Sequence, residues 1–160
     1  MPTRHRLFDP SRLRLKPLGQ RAHDLDFAPA GCAAQAVPVR VASVRPALAA
    51  VAARLAAAKA SGSARVLMMG AHVLRSGLQP YLVDMLRSGF ISQVAVNGAC
   101  VIHDFELALI GATTESVARY IKDGQFGLWT ETGRINDIVA AGNAEGLGLG
   151  EAVGRAIATG

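Results

Sequence analysis

The sequence predicts an α/β fold: a Rossmann-like parallel sheet with flanking helices, apparently incomplete within this chain. Two short runs, Arg65-Val66-Leu67-Met68-Met69 and Gln93-Val94-Ala95-Val96, are apolar without alternation, the pattern of strands buried on both faces. A helical pattern lies between them and another follows, so the order calls for a right-handed parallel crossover. The third observation is composition. A chain of 160 residues, 51% hydrophobic and 18% charged, can bury one core and is not intrinsically disordered over most of its length.

The formal net charge is +5. Its excess gathers at the start, where Arg4, Arg6, Arg12, Arg14, Lys16 and Arg21 stand against the single acid Asp9. Such an arm binds nucleic acid or an acidic membrane surface, stays solvated, or packs on a partner subunit. Nucleic acid is not expected, since no aromatic residues interleave and no nucleic-acid motif follows. No apolar segment follows these arginines, so they do not form a signal peptide. The longest Ala/Leu/Val stretch is interrupted by Arg54 and falls short of the roughly 20 apolar residues of a membrane span. Two cysteines, Cys32 and Cys100, are too few for a disulfide scaffold. A cytoplasmic location is expected.

Residues 1–43 read as a basic arm and an irregular lead-in, with residues 36–41 as a short edge strand because Pro38 cannot donate to a central ladder. Residues 44–160 form the α/β domain. Its first helix spans 44–60, with Leu48, Val51, Leu55 and Ala58 inward, Pro46 in the first turn and Ser61-Gly62-Ser63 as the stop. The first strand follows, then a loop, then a helix over 80–87 with Tyr81, Leu82, Met85 and Leu86 inward. After the second strand a helix runs over 101–110. Gly111-Ala112 parts it from another, capped by Thr113-Thr114-Glu115-Ser116 and reaching residue 122. Residues 123–127 turn, 129–133 are irregular, and helices cover 136–141 and 151–158. So few strands make a thin sheet, so either an oligomer completes the core or the chain is the first part of a longer fold.

Ligands of open α/β sheets bind beyond the carboxyl ends of the strands. Two segments qualify: Gly70-Ala71-His72-Val73-Leu74-Arg75-Ser76-Gly77 and Asn97-Gly98-Ala99-Cys100-Val101-Ile102-His103-Asp104. Their small residues either let a backbone approach a ligand, with a helix N-terminus ready for a phosphate, or serve tight turns of positive φ. His72, Cys100, His103 and Asp104 lack recognised metal-ligand spacing, so no metal is expected. Cys100 is a buried small hydrophobe or a thiol nucleophile; His103 is a partly buried histidine with a bonded ring, or a ligand contact. Asp104 and Glu106 suit a helix start, and Asp104 equally suits a ribose hydroxyl or an amine. Trp129 is a core or interface anchor, or a stacking ring. Gly146, Gly148 and Gly150 follow no strand and make a hinge and helix lead-in, or a ligand loop.

At these loops the sequence resembles the deoxyhypusine synthase family, in its bacterial deoxyhypusine-synthase-like branch. The resemblance is carried by GAHVLRSGLQPYLVDMLRSGFISQVAVNGACVIHDFELAL at 70–109, and more weakly by YIKDGQFGLWTETGRIND at 120–137 and GLGLGEAVG at 146–154. Ser76-Gly77 matches the ending of the family's first loop, Asn97-Gly98-Ala99 stands in place of its Thr-Ala-Gly run, and Asp104 matches its closing acid. The resemblance implies an NAD-binding Rossmann-like domain over 44–160, in a homo-oligomer, by resemblance a tetramer. It implies NAD-dependent transfer of an aminoalkyl group from a polyamine or related amine. Ala71, His72, Ser76, Gly77, Asn97, Gly98, Ala99 and Asp104 would then bind NAD. His103 would touch substrate; it and Ile102 replace a Glu-Glu pair of the classical enzymes. No catalytic residue is assigned: the family's lysine motif lies in its C-terminal half, and Lys16, Lys59 and Lys122 do not match it. The alternative is a non-catalytic, oligomerising α/β module that binds a nucleotide or a partner chain.

Overall fold

The computed structural model of the chain describes residues 5, 7–27 and 42–160. The edge strand expected at 36–41, and Cys32, lie outside the described residues. The architecture is mixed α/β. In chain order the regular elements are β1 (His23–Asp26), α1 (Arg45–Ala60), β2 (Val66–Met69), α2 (Ala71–Arg75), α3 (Gln79–Arg87), β3 (Gln93–Val96), α4 (Gly98–Ile110), β4 (Ala112–Glu115), α5 (Val117–Tyr120), α6 (Thr130–Ala144) and α7 (Leu149–Thr159). They form two compact units, Leu25–Thr113 and Met1–Asp24 with Thr114–Gly160, so the divisions fall within β1 and β4.

In the Leu25–Thr113 unit, β2 and β3 pair in parallel with Val66 opposite Gln93 and Met69 opposite Val96. The parallel pair is the one expected from the two apolar runs, but neither strand is buried on both faces. Met68 is 80% exposed, and Val66 and Val96 are exposed as well. The core lies at the carboxyl ends of the strands, where Ala71, Leu74 and Cys100 pack together with Met69, Leu82 and Leu107. On α3, Tyr81, Leu82 and Met85 are half-buried while Leu86 is exposed.

Helix α1 starts at Arg45 with Pro46 in its first turn and buries no residue; the expected inward residues Leu48 and Val51 are exposed. Its stability therefore owes more to alanine, the best helix former, than to packing. Its end is tied down by side chains. The Lys59 ammonium donates to the Ser88 carbonyl at 2.7 Å and lies 4.6 Å from the centre of the Phe90 ring. Arg65 donates to the carbonyls of Gly89, Ala58 and Ser63. Lys59 thus serves as a fastening for the helix end.

In the other unit the basic arm is partly built into the fold. Lys16 and Trp129 form a parallel bridge, with Lys16 N–H donating to the Leu128 carbonyl and Thr130 N–H to that of Lys16. Leu18 and Arg21 are buried. The Leu18 N–H donates to the Glu131 carboxylate at 2.6 Å, and the Ala22 N–H to the Tyr120 hydroxyl at 2.8 Å. Trp129, 1% exposed, takes the core reading. Tyr120 meets it edge-on at 5.1 Å, the Arg21 guanidinium lies 5.8 Å from its ring centre, and its indole N–H donates to Glu115 Oε2 at 2.9 Å. Helices α6 and α7 pack so closely that a Cβ built on Gly142 would stand 2.4 Å from that of Ala152.

Five expectations need correction. The lead-in contains β1, where His23–Asp26 pairs with β4. The first candidate loop is mostly the single-turn helix α2. Helix α4 starts at Gly98, not at 101, because the Asn97 side chain caps it by accepting from the Cys100 N–H. Thr113-Thr114-Glu115 belong to β4, and only Ser116 acts as a helix cap, for α5. The segment 129–133 is not irregular, since α6 starts at Thr130.

Candidate functional site

The parallel register places Met69 beside Val96, so the junctions that follow, Gly70 and Asn97, lie on neighbouring strands at the same edge of the sheet. Adjacent strands are about 4.8 Å apart. Each junction leads at once into a helix, α2 and α4. Gly70 is extended, with φ −107° and ψ 177°, and Gly98 lies in the first turn of α4. Neither conformation requires glycine. A Cβ added at either position would meet nothing within 4 Å. The turn explanation for these two glycines therefore fails, and open space lies next to both.

Gly77 is different. Its φ of +74° closes α2, its N–H donates to the Leu74 carbonyl, and a Cβ there would come within 3.3 Å of the Phe27 ring. Ser76 donates from its hydroxyl to the His72 carbonyl at 2.7 Å. The Ser76-Gly77 pair is thus accounted for by helix termination.

The remaining candidates divide by burial. Ala71 and Cys100 point into the core, so Ala71 has only its backbone to offer a ligand. Burial pushes the Cys100 thiol above its ordinary pKa, and the Asp104 carboxylate pushes it further the same way, as befits a small hydrophobe and not a nucleophile. His72, Asn97, Gly98 and Ala99 are exposed. Asn97 Oδ1 is occupied by the cap at 3.1 Å. The N–H groups of Gly98 and Ala99, in the first turn, have no acceptor within the helix. Asp104 lies one and a half turns further on, with a carboxyl whose pKa is raised by desolvation. Arg75 on α2, which packs against α4, has a buried Nε without an acceptor.

The structure also joins residues that the sequence reading left apart. The His103 Nδ1 lies 2.7 Å from the Thr113 hydroxyl, which donates to Glu106 Oε2 at 2.7 Å. Glu106 is 2% exposed and Thr113 fully buried, so Glu106 is no solvated helix-start carboxylate. The spacing of His103 and Glu106, three apart on one helix face, was the available signal. Thr113 could not be found that way. The next residue, Thr114, has a φ of +68° and a buried hydroxyl without a partner. For a β-branched residue that is a strained backbone.

Among the described residues no group of three or more His, Cys, Asp or Glu is gathered as a metal site, and no helix is long and apolar enough to cross a membrane. No protein-family model, no curated protein and no solved structure matches this chain.

Proposed function

We propose that this chain is the dinucleotide-binding part of a deoxyhypusine-synthase-like enzyme. In this reading a Rossmann-like unit holds NAD over the carboxyl ends of β2 and β3, for transfer of an aminoalkyl group from a polyamine or related amine. The observation that carries the reading is the pair of glycines, Gly70 and Gly98. They stand at adjacent strand ends, need no glycine for their own backbone, and face open space. Small residues at such places favour close approach of a ligand backbone or phosphate. The first-turn amides of α4 supply donors for an anion, and the unmet Arg75 Nε on α2 supports the same sign of ligand.

In this reading Gly70, Gly98 and Ala99 contact the cofactor through their backbones. Exposed His72 flanks it, and Ser76, Gly77 and Asn97 shape the two helix ends. Asp104 serves a ribose hydroxyl or the amine, and His103 the amine. The test is calorimetric titration of the purified chain with NAD, with light scattering on the same sample. Gly98→Trp should abolish binding and leave the helical circular dichroism unchanged. Tight binding by Gly98→Trp, or none by the folded wild-type chain, refutes the reading.

A second reading, a non-catalytic oligomerising module, is favoured by the exposed apolar residues of β2 and α1, Val66, Met68, Leu48 and Val51. It predicts concentration-dependent self-association without NAD affinity. NADH formed from a polyamine would refute it.

A further inference from the structure

We propose that α1 is a docking face for a helix of a partner protein, one that carries apolar residues at the same spacing between acidic flanks. The inference does not rest on the dinucleotide reading, and it gives the exposed side of α1 an occupant other than a second copy of this chain.

Leu48, Val51, Leu55 and Ala58 follow one another at intervals of three, four and three residues, and Val44, just before the helix, continues the series by four. At about 100° per residue these side chains fall within roughly 80° of one another on one side of α1. The chain itself covers only the far end of this stripe. Leu55 and Ala58 are half-buried, and the same end is held by Lys59 and Arg65. Toward the start of the helix Val44, Leu48 and Val51 are exposed, Leu48 to 62% and Val51 to 53%. Helix formation does not account for these residues. Alanine fills most of the other positions and is the better helix former, and a β-branched valine lowers helix propensity. Burial does not account for them either. A stripe at this spacing that runs past its own support is the seam of a helix–helix contact.

Charge identifies the occupant. Arg45 and Arg54 flank the stripe, about 100° to one side of its centre and about 80° to the other. Both are exposed, and neither forms an ion pair among the described residues. Helix α1 contains no acid. Its N-terminus has no side-chain cap, and Arg45 stands at the first helical position, against the helix dipole. Carboxylates on a docked helix would relieve that repulsion and pair both arginines, as flanking charges do along a coiled-coil seam. A second α1 brings the same cations and repels. A bilayer surface fits poorly as well. An interfacial helix has a charged face opposite its apolar one, whereas the far side of α1 is alanine, at Ala49, Ala50, Ala53, Ala56 and Ala57.

Fluorescence anisotropy on the full chain tests this with two labelled, designed helical peptides of about 20 residues. Both carry leucine at the three-four spacing; glutamate flanks it in one and lysine in the other. The glutamate peptide should bind at least about tenfold more tightly than the lysine peptide, and the preference should weaken as salt is raised. Leu48→Ser with Val51→Ser should weaken that binding about tenfold and leave the urea midpoint little changed, since neither side chain is buried. Arg45→Glu with Arg54→Glu should reverse the preference between the peptides. Equal affinity for the two peptides, no affinity for the glutamate peptide, or a charge-swapped chain that keeps the original preference overturns the proposal. Binding that survives Leu48→Ser with Val51→Ser overturns it too. Phosphatidylserine-containing vesicles that capture the chain through Leu48 and Val51, while the glutamate peptide does not bind, would assign the face to a membrane surface. A dimer seen by light scattering that the double serine variant abolishes and the glutamate peptide does not dissociate would assign it to a second copy. Either result overturns the acidic-helix partner.

Discussion

Two glycines of α6 should respond in opposite directions to the same substitution. In a helix interior, replacing glycine by alanine stabilises by about 1 kcal/mol, because glycine loses more backbone freedom on folding. At Gly133 nothing opposes that gain: the new Cβ would lie 3.8 Å from Leu15 Cδ1, an ordinary contact. At Gly142 the new Cβ would stand 2.4 Å from the Ala152 Cβ, with the Ala152 Cα at 3.5 Å and the Leu147 Cβ at 3.7 Å. Carbon atoms pack at about 3.5–4 Å, so α7 would have to withdraw by more than an ångström. Alanine has no rotamer with which to yield, and overpacking of this kind costs about 1–3 kcal/mol. The net expectation is a gain of roughly 0.5–1 kcal/mol for Gly133→Ala and a loss of roughly 1–2 kcal/mol for Gly142→Ala. Both positions lie in the same compact unit. Urea unfolding followed by circular dichroism reads the difference as midpoints separated by about 1 M, given slopes near 1–3 kcal/mol per molar. Equal midpoints, or a stabilised Gly142→Ala, would show that α6 and α7 do not pack through this contact.

Further predictions concern the capping, the buried indole and two titrating groups. Asn97→Ala should cost about 1 kcal/mol in urea unfolding, and Asn97→Asp should recover it, because both native and acidic side chains accept from the Cys100 N–H. Trp129→Phe keeps the ring but strips Glu115 Oε2 of its indole donor, and should destabilise by about 1–3 kcal/mol in the same assay. The Cys100 thiol is held above its ordinary 9.0, first by burial. The unfolded thiol then ionises before the folded one, so this contribution to stability is complete below pH 9.0 and is lost as pH rises beyond it. Cys100→Ala should flatten that alkaline loss. Asp104, also raised by desolvation, favours folding when protonated, so its contribution declines as pH rises through and above 3.8. Asp104→Asn should therefore be the more stable chain at pH 7, and the difference should close as pH falls below about 4.

The sequence by itself determined the elements whose signals are local. Helix α1 was legible from apolar residues at helical spacing, Pro46 at its start and Ser61-Gly62 at its end, although Leu48 and Val51 of that apolar face turn out exposed. The strands β2 and β3 were legible as apolar runs between glycines, and their parallel pairing from the helical segments between them. The two strand-end segments were legible as candidate sites because that rule depends only on element order. The tertiary structure decided whatever depends on a distant partner. Thr113-Thr114-Glu115 resembles a helix start locally, but β-branched residues become a strand once β1 is there to pair with them. Leu18 and Arg21 are part of a polar arm in sequence and buried residues in the fold, because Trp129 and Glu131 meet them from far along the chain. The purpose of a glycine was also undecidable from sequence. Gly77 answers to its own φ, while Gly70 and Gly98 do not, and only backbone angles and neighbouring atoms separate the two cases. Glu106 shows the same limit in electrostatic form. A carboxylate near a helix start belongs in water by every local rule, and it is buried here because a hydroxyl seven residues away, on the next strand, gives it a hydrogen bond in place of solvent.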